Sequence, residues 1–294
     1  MLLEVEHWSG AGNRFVIVDN RQKIINKQWD ILLITSLCKR KNLPDAEGVL
    51  VLLELDRENS NCNYDFYNPD GSTGAMCGNG ARCAIRHAVL TDNLDIIHRI
   101  KLTLNNRLYT AQIVANDRVA LRLPLYKQLQ LIDSWTYVDV GSHHVIIDDV
   151  GSHHVIIDGR NLVNSIEEFH QFDLIKFANE NLDFYRNKLG NPSLNLNIAY
   201  PIRDQCTIQL RTYENGVYNE TQACGTGAIS TAIAFWTRNI IRNTIIQLIP
   251  ISQRVLTVHL DTDKHEHILG MILEGDAQQD APSSQFDTES MQYQ

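Results

Sequence analysis

The 294-residue chain has no run of 18 apolar residues, the length a membrane-crossing helix requires, so no membrane partner is expected. Its longest lysine–arginine run, Lys39-Arg40-Lys41, is too short to make a phosphate-neutralising face. Its 26 basic residues stand against 35 acidic ones, for a net charge of −9. With no phosphate-neutralising face, a nucleic-acid partner is excluded. The opening Met1-Leu2-Leu3-Glu4-Val5-Glu6-His7 lacks a basic region leading into a long apolar stretch, so no secretory signal is read and a cytoplasmic location is expected. Neither a phosphate cradle nor a dinucleotide motif is present. Cysteine is sparse and scattered: Cys38, Cys62, Cys77, Cys83, Cys206 and Cys224. A long chain with a cytoplasmic start does not need disulfide staples. Cys77 and Cys83 have no second close pair beside them, which is poor zinc spacing, so no metal is expected.

A composition of 44% hydrophobic and 21% charged residues is that of a globular protein, and the length allows two domains of ordinary size. Phe15–Val18 and Val49–Leu53 read as strands buried on both faces, and Arg99–Leu104, Leu108–Val114 and Val119–Leu123 as a meander. Asp30–Lys41 reads as a helix opened by an Asp cap, and Gly80–Leu90 as a second with Ala84, Ile85, Ala88 and Val89 on one face. A composition shift over Leu125–Asp133 suggests a boundary, giving an N-terminal half over 1–126 and a C-terminal half over 127–274. In the second half, Val145–Ile147, Cys206–Leu210, Val255–Leu260 and Ile268–Leu273 read as strands and Ile166–Glu180 as helical. After Cys224, Ile229, Ala232, Ile233 and Trp236 mark a single-faced helix. The stretch 275–294, rich in Gln, Asp and Ser, is expected to be a mobile tail.

Ten residues, Asp139–Asp148, recur unchanged as Asp149–Asp158. Ten is far below the period of a repeat architecture. An even insertion preserves strand alternation, so a tolerated local duplication is the simpler reading. A metal site of His143, His144, His153 and His154 is the sharper alternative, but no partner at defined spacing supports it.

Two phrases are near-copies: Met76-Cys77-Gly78-Asn79-Gly80-Ala81 and Ala223-Cys224-Gly225-Thr226-Gly227-Ala228. Each follows a turn-rich stretch (Asn68-Pro69-Asp70-Gly71, and Glu214-Asn215-Gly216) and leads into an apolar helix-like segment. Such a start sets a thiol beside unpaired N–H groups and the positive end of a helix dipole, which favours thiolate and binds anions. An isolated cysteine is usually a small buried hydrophobe; two in matched settings suggest a duplicated fold with a thiol for each face of one substrate carbon. Removing a proton from a carbon flanked by carboxylate and ammonium needs a close base, charge stabilisation and exclusion of water. A thiolate and a thiol would act as base and acid, with Gly78, Asn79, Gly225 and Thr226 N–H groups holding the α-carboxylate. The scheme uses no cofactor. Cys38, Cys62, Cys83 and Cys206 lack this setting and read as packing residues.

At these residues the chain resembles the diaminopimelate epimerase family, cofactor-independent enzymes of lysine and peptidoglycan-precursor synthesis. The resemblance covers Gly10–Asp19, Asn68–Cys83, Asn195–Asn197 and Tyr213–Ala228. It implies an α+β fold of two pseudo-symmetric domains, each a curved, mainly antiparallel sheet around a central helix, with the active site in the cleft between them, and a homodimer. Cys77 and Cys224 match the family's acid/base cysteines, and Gly78, Asn79, Gly225 and Thr226 its carboxylate cradle. Asn13, Asn68, Asn195 and Glu214 match positions that grip the far end of a small amino-acid substrate.

Several positions depart from the family pattern. Arg14 stands where an Asp is usual, Leu43–Gly48 replaces a glycine-rich loop, and a Gly-Ser/Asn-Pro-His segment is here Gly-Ser-His-His, twice, so His144 or His154 could hold that place. Asn215 replaces the arginine that faces diaminopimelate's distal carboxylate, a bidentate contact that Asn cannot make. Losing it should cost on the order of 2–5 kcal/mol of recognition, and Arg14 is a candidate to compensate. The leading reading is diaminopimelate epimerase. A racemase for another amino acid, an inactive binding relative and a dithiol redox protein are the alternatives; redox pairs usually lie close in sequence.

Overall fold

The computed structural model describes residues 2–25, 29–39, 45–74, 77–92, 99–140, 152–202 and 206–288. The chain forms two units, Met1–Arg122 with Gly275–Gln294, and Leu123–Glu274. Among the described residues, no helix is long and apolar enough to cross a membrane.

The first unit runs β1 (Leu2–Gly10), β2 (Asn13–Asp19), α1 (Ile31–Cys38), β3 (Val49–Asp56), β4 (Asn61–Tyr67), α2 (Gly78–Asp92), β5 (Ile100–Leu104), β6 (Arg107–Ala115) and β7 (Arg118–Leu123). β2 and β3 pair in parallel across α1, and β4 and β5 pair in parallel across α2. The pairs β1–β2, β3–β4, β5–β6 and β6–β7 are antiparallel. Alternation explains why the stretches Phe15–Val18 of β2 and Val49–Leu53 of β3 are apolar at every position. Val16, Val18, Val49 and Val51 join a core with Leu33, Ile34 and Leu37 of α1, while Ile17, Leu50 and Leu52 are buried as well. α1 starts as expected, the Asp30 carboxylate accepting the Leu33 N–H at 2.8 Å. Its described helical turns end at Cys38, and part of the expected helix lies outside the described residues.

The second unit repeats the order: β8 (Gln128–Ile132), β9 (Trp135–Asp139), β10 (His153–Asp158), α3 (Ile166–Gln171), α4 (Leu174–Leu189), β11 (Leu194–Pro201), β12 (Thr207–Glu214), β13 (Asn219–Glu220), α5 (Gly225–Thr237), β14 (Ile245–Ile249), β15 (Leu256–Thr262) and β16 (Ile268–Asp276). Again there are two parallel pairs, β10–β11 across α3 and α4 and β12–β14 across α5. The pairs β9–β10, β11–β12, β14–β15 and β15–β16 are antiparallel. Each unit therefore has one helical layer over its sheet and one helix inside its curve. The fold is α+β with mainly antiparallel pairing.

The inner helices are α2 and α5. α2 packs on β1 to β5 and is buried from Gly78 to Val89 except at Arg86. α5 packs on β9, β10, β11, β14 and β15, with Gly227 to Phe235 all buried. The expected single apolar faces are thus corrected to burial on nearly every side. Small residues (Gly225, Gly227, Ala228, Ser230, Ala232, Ala234) let surrounding strands approach closely.

Three further expectations change. The helix foreseen over Ile166–Glu180 is two helices, because Asp173 caps a new start by accepting the Lys176 N–H at 2.9 Å, and α4 continues to a left-handed Gly190 at φ 63°. The suggested boundary segment contains strand β8. The stretch foreseen as a mobile tail holds β17 (Gln278–Asp287), antiparallel to β1 with Leu3 opposite Phe286. Backbone pairing needs no apolar side chains, which is why composition misled. Of the duplicated segment, Gly141–Gly151 lies outside the described residues, including Val145–Ile147, His143 and His144; the second copy supplies β10.

Candidate active site

In the first unit, Cys77 stands immediately before α2 and is half-buried. Its sulfur accepts the Gly80 N–H at 3.4 Å and its carbonyl the Ala81 N–H at 2.8 Å. Sulfur thus takes the place an N-cap oxygen usually holds. A fully buried arginine fixes this first turn: Arg82 donates Nη2 to Asn79 Oδ1 at 2.7 Å, Nη1 to the Gly78 carbonyl at 3.3 Å and Nε to the Asp276 carbonyl at 3.3 Å. Burial pushes the Arg82 pKa down, and the charges of Cys83 and Asp276 oppose that. Asp276 also accepts the Ala11 N–H at 2.9 Å, holding the β1–β2 turn that presents the buried Asn13. A side chain at Gly10 would sit 2.8 Å from the Asn79 carbonyl oxygen, so only glycine lets the end of β1 touch this helix start.

Asn68 begins a tight loop. Its N–H donates to the Ser72 carbonyl at 2.9 Å and its Nδ2 to Ser72 Oγ at 2.9 Å. Asp70 accepts from the Ser72 N–H and hydroxyl. Asn105 ties the loop's ends, bonding the Phe66 N–H, the Phe66 carbonyl and the Gly74 carbonyl.

In the second unit, Cys224 caps α5 with the same geometry: its sulfur accepts the Gly227 N–H at 3.4 Å. Two further groups address it. Thr226 Oγ1 lies 3.4 Å away. The carboxylate of Glu214 takes a hydrogen bond from the thiol and another from Thr221 Oγ1 at 3.1 Å. Burial raises the Glu214 pKa, and its bonds from Thr221 and Cys224 oppose the rise.

Behind Thr226 stands His154, fully buried. Asn197 Nδ2 donates to His154 Nδ1 at 3.0 Å and to the Val155 carbonyl at 3.2 Å, while Asn197 Oδ1 accepts from Thr212 at 2.9 Å. These partners assign the amide orientation and leave the imidazole hydrogen on Nε2. Nε2 lies 3.0 Å from Thr226 Oγ1 and 2.9 Å from Ser152 Oγ, and Ser152 donates to Thr226 at 3.0 Å. With two donors on its oxygen, Thr226 directs its own hydrogen at the Cys224 sulfur. Burial, then the neighbouring His153, pushes the His154 pKa down to about 3, so the ring is neutral at physiological pH.

Asn195 donates to the His153 carbonyl at 3.1 Å and accepts the Asn215 N–H at 2.8 Å. Both ends of its amide thus hold neighbouring chain. Asn215 Oδ1 in turn accepts from Arg186 Nη2 of α4 at 3.5 Å. Gly227 must lack a side chain, since a Cβ there would lie 2.6 Å from Asn197 Oδ1.

The first unit therefore gathers Cys77, Gly78 and Asn79 at one helix start, and the second gathers Cys224, Gly225, Thr226, Glu214, Asn195 and Asn215 around the other. Sequence reading missed Arg82, Asp276, Asn105, Ser152, Arg186 and Thr212. Asn197 carried one available signal, two residues from Asn195 and so on the same strand face. Glu214, expected to grip the substrate's far end, faces the Cys224 thiol. Among the described residues, no group of three or more His, Cys, Asp or Glu is arranged to hold a metal ion.

Residues 7–116 match the family model described as diaminopimelate epimerase. A diaminopimelate epimerase of Flavobacterium psychrophilum is 33% identical over 235 residues, covering 79% of this chain and 81% of that one. The chain belongs to the diaminopimelate epimerase family. It is accordingly an isomerase, of a family of cofactor-independent amino-acid epimerases. Solved structures agree in fold at low identity. A phenazine biosynthesis protein of the PhzF family from Bacillus anthracis superposes with a TM-score of 0.66 at 12% identity, covering 98% of this chain and 99% of that one. A probable proline racemase from Agrobacterium radiobacter gives a TM-score of 0.63 at 13% identity, covering 97% and 93%. Within the diaminopimelate epimerase family, the Arg82–Asp276 lock and the His154–Thr226 chain are the features that hold each cysteine turn in this member.

Proposed function

We propose that this chain interconverts LL- and meso-diaminopimelate by two-thiol inversion of the α-carbon, as part of lysine and peptidoglycan-precursor synthesis in the cytoplasm. One observation carries the reading: each matched Cys-Gly-x-Gly-Ala phrase starts an inner helix, and each sulfur accepts the third N–H onward at 3.4 Å. One thiolate removes the α-proton from one face, and the thiol of the other cysteine delivers its proton to the opposite face. The C–H bond broken and the C–H bond formed balance, and the two sulfurs exchange protonation states. N–H groups of Gly78, Asn79, Gly225 and Thr226 receive the α-carboxylate and the charge that builds on it. Asn13, Asn68, Asn195 and Asn215 serve the rest of the substrate.

Glu214 has a role beyond substrate contact. It holds the Cys224 proton, and its raised basicity makes it a good local acceptor when that thiol ionises. Thr226 and the Gly227 N–H then stabilise the sulfur anion. The active form is a homodimer.

A second reading, a racemase for a different amino acid, is favoured by Asn215 at the place of the family's arginine. The test is exchange of the α-hydrogen in deuterium oxide under reducing conditions, with LL-diaminopimelate and a panel of single amino acids. Deuterium should enter LL-diaminopimelate as the meso form appears. Exchange with another amino acid alone would establish the second reading, and exchange with none would refute both.

A further inference from the structure

Three arginines of this chain show how a guanidinium holds a carboxylate here. In Arg21–Asp19, Arg160–Asp158 and Arg211–Glu220 the Nε and Nη2 hydrogens, which leave the same edge of the planar group, grip the two carboxylate oxygens side by side. Arg186 breaks this pattern. It sits in the last turn of α4 with a side chain 27% exposed. Its Nε is buried and has no hydrogen-bond partner among the described residues. The other nitrogen of the same edge, Nη2, meets the neutral Asn215 Oδ1, at 3.5 Å. Among the described residues, the acid on this guanidinium is Asp183, which touches the opposite nitrogen, Nη1, at 3.1 Å and is 83% exposed. Such a surface pair leaves most of the positive charge uncompensated.

An edge with two hydrogens for a carboxylate, lacking one from the described protein, stands beside Asn215, whose N–H is held by Asn195. We infer that Arg186 reads the distal carboxylate of the substrate through its Nε and Nη2 edge, supplying from α4 the cation that position 215 lacks. This rests on the reading of the site as one for an amino acid with an acidic far end. Binding replaces the long Asn215 contact by two charge-assisted bonds, and Asn215 turns its amide aside to admit them.

The test uses full-length protein and three variants: Arg186→Gln, Arg186→Lys and the double exchange Arg186→Gln with Asn215→Arg. Epimerisation of LL-diaminopimelate is followed, together with α-deuterium exchange of L-lysine, the same skeleton without the distal carboxylate. Arg186→Gln should lower kcat/KM for diaminopimelate by about 30-fold or more, chiefly through KM, and lower its ratio to the lysine rate. Arg186→Lys should fall between, since a point charge survives without the fork. The double exchange should recover much of the loss, because it returns a guanidinium to the same carboxylate.

An unchanged KM in Arg186→Gln overturns the proposal while leaving the diaminopimelate reading intact. A parallel loss on both substrates with no recovery in the double exchange marks Arg186 as structural and also overturns it. If the unaltered protein prefers amino acids without a distal anion, the substrate reading and the role of Arg186 fail together.

Discussion

The hydroxyl oxygen of Thr226 stands 3.0 Å from Nε2 of His154, and that contact gives the threonine its direction. Its oxygen accepts from the imidazole, so its hydrogen is free for the Cys224 sulfur 3.4 Å away. The polarity requires the ring hydrogen on Nε2, and Asn197 places it there by donating to Nδ1.

His154 should make stability depend on acid. Its folded pKa of about 3 lies below the ordinary histidine value near 6.5. Between those limits the unfolded chain takes a proton that the folded chain refuses. Stability is therefore full above pH 6.5 and is lost as pH falls toward 3, by on the order of 4 kcal/mol. Urea unfolding at pH 7, 6, 5 and 4 should show a steeper decline for the unaltered protein than for His154→Gln. Parallel declines would mean that His154 is protonated in the fold.

Glu214→Gln separates stability from activity. Burial raises the Glu214 pKa above the ordinary carboxyl value of 4.5, so the folded state disfavours its charge. That contribution to stability is complete below pH 4.5 and disappears as pH rises through the raised value. Glutamine carries no charge, so the variant should melt higher than the parent at pH 8 and alike near pH 4. Its epimerisation rate should fall by about 10²- to 10⁴-fold, because glutamine cannot take the Cys224 proton. A glutamine variant with parental kcat would remove Glu214 from the chemistry.

Deleting residues 277–294 should destabilise the first unit, because β17 covers the open edge of β1. A melting temperature about 5–10 °C lower corresponds to a loss of a few kcal/mol for units of this size. Scanning calorimetry, with size-exclusion chromatography for aggregates, would measure it. An unchanged melting profile would show that the strand pairing contributes nothing.

What the sequence made legible was local. The cysteine turns could be read because sulfur and its N–H donor lie three residues apart, and α1 because Asp30 caps it from the adjacent position. Contacts made across the chain were hidden. Composition describes the side chains of β17, whereas its place is set by backbone pairing with β1, far away in sequence, as where Leu3 lies opposite Phe286. Arg186 meets Asn215 across 29 positions, with no motif around it. The two Gly-Ser-His-His copies are identical, so only the fold distinguishes His154, through its buried contacts with Asn197 and Thr226. α5 carries an apolar stripe like that of a surface helix, and its inner position comes from strands on several sides that no single window contains.

The return of β17 to β1 also orders events during synthesis. Residues 123–274 are contiguous, so the second unit can close its sheet without waiting for β17. The first unit cannot, because β1 receives β17 only after the whole second unit has been made. Asp276, whose carbonyl and carboxylate anchor Arg82 and the β1–β2 turn, arrives equally late. The helix start bearing Cys77 therefore gains its last contacts after the one bearing Cys224, though it is encoded well before it.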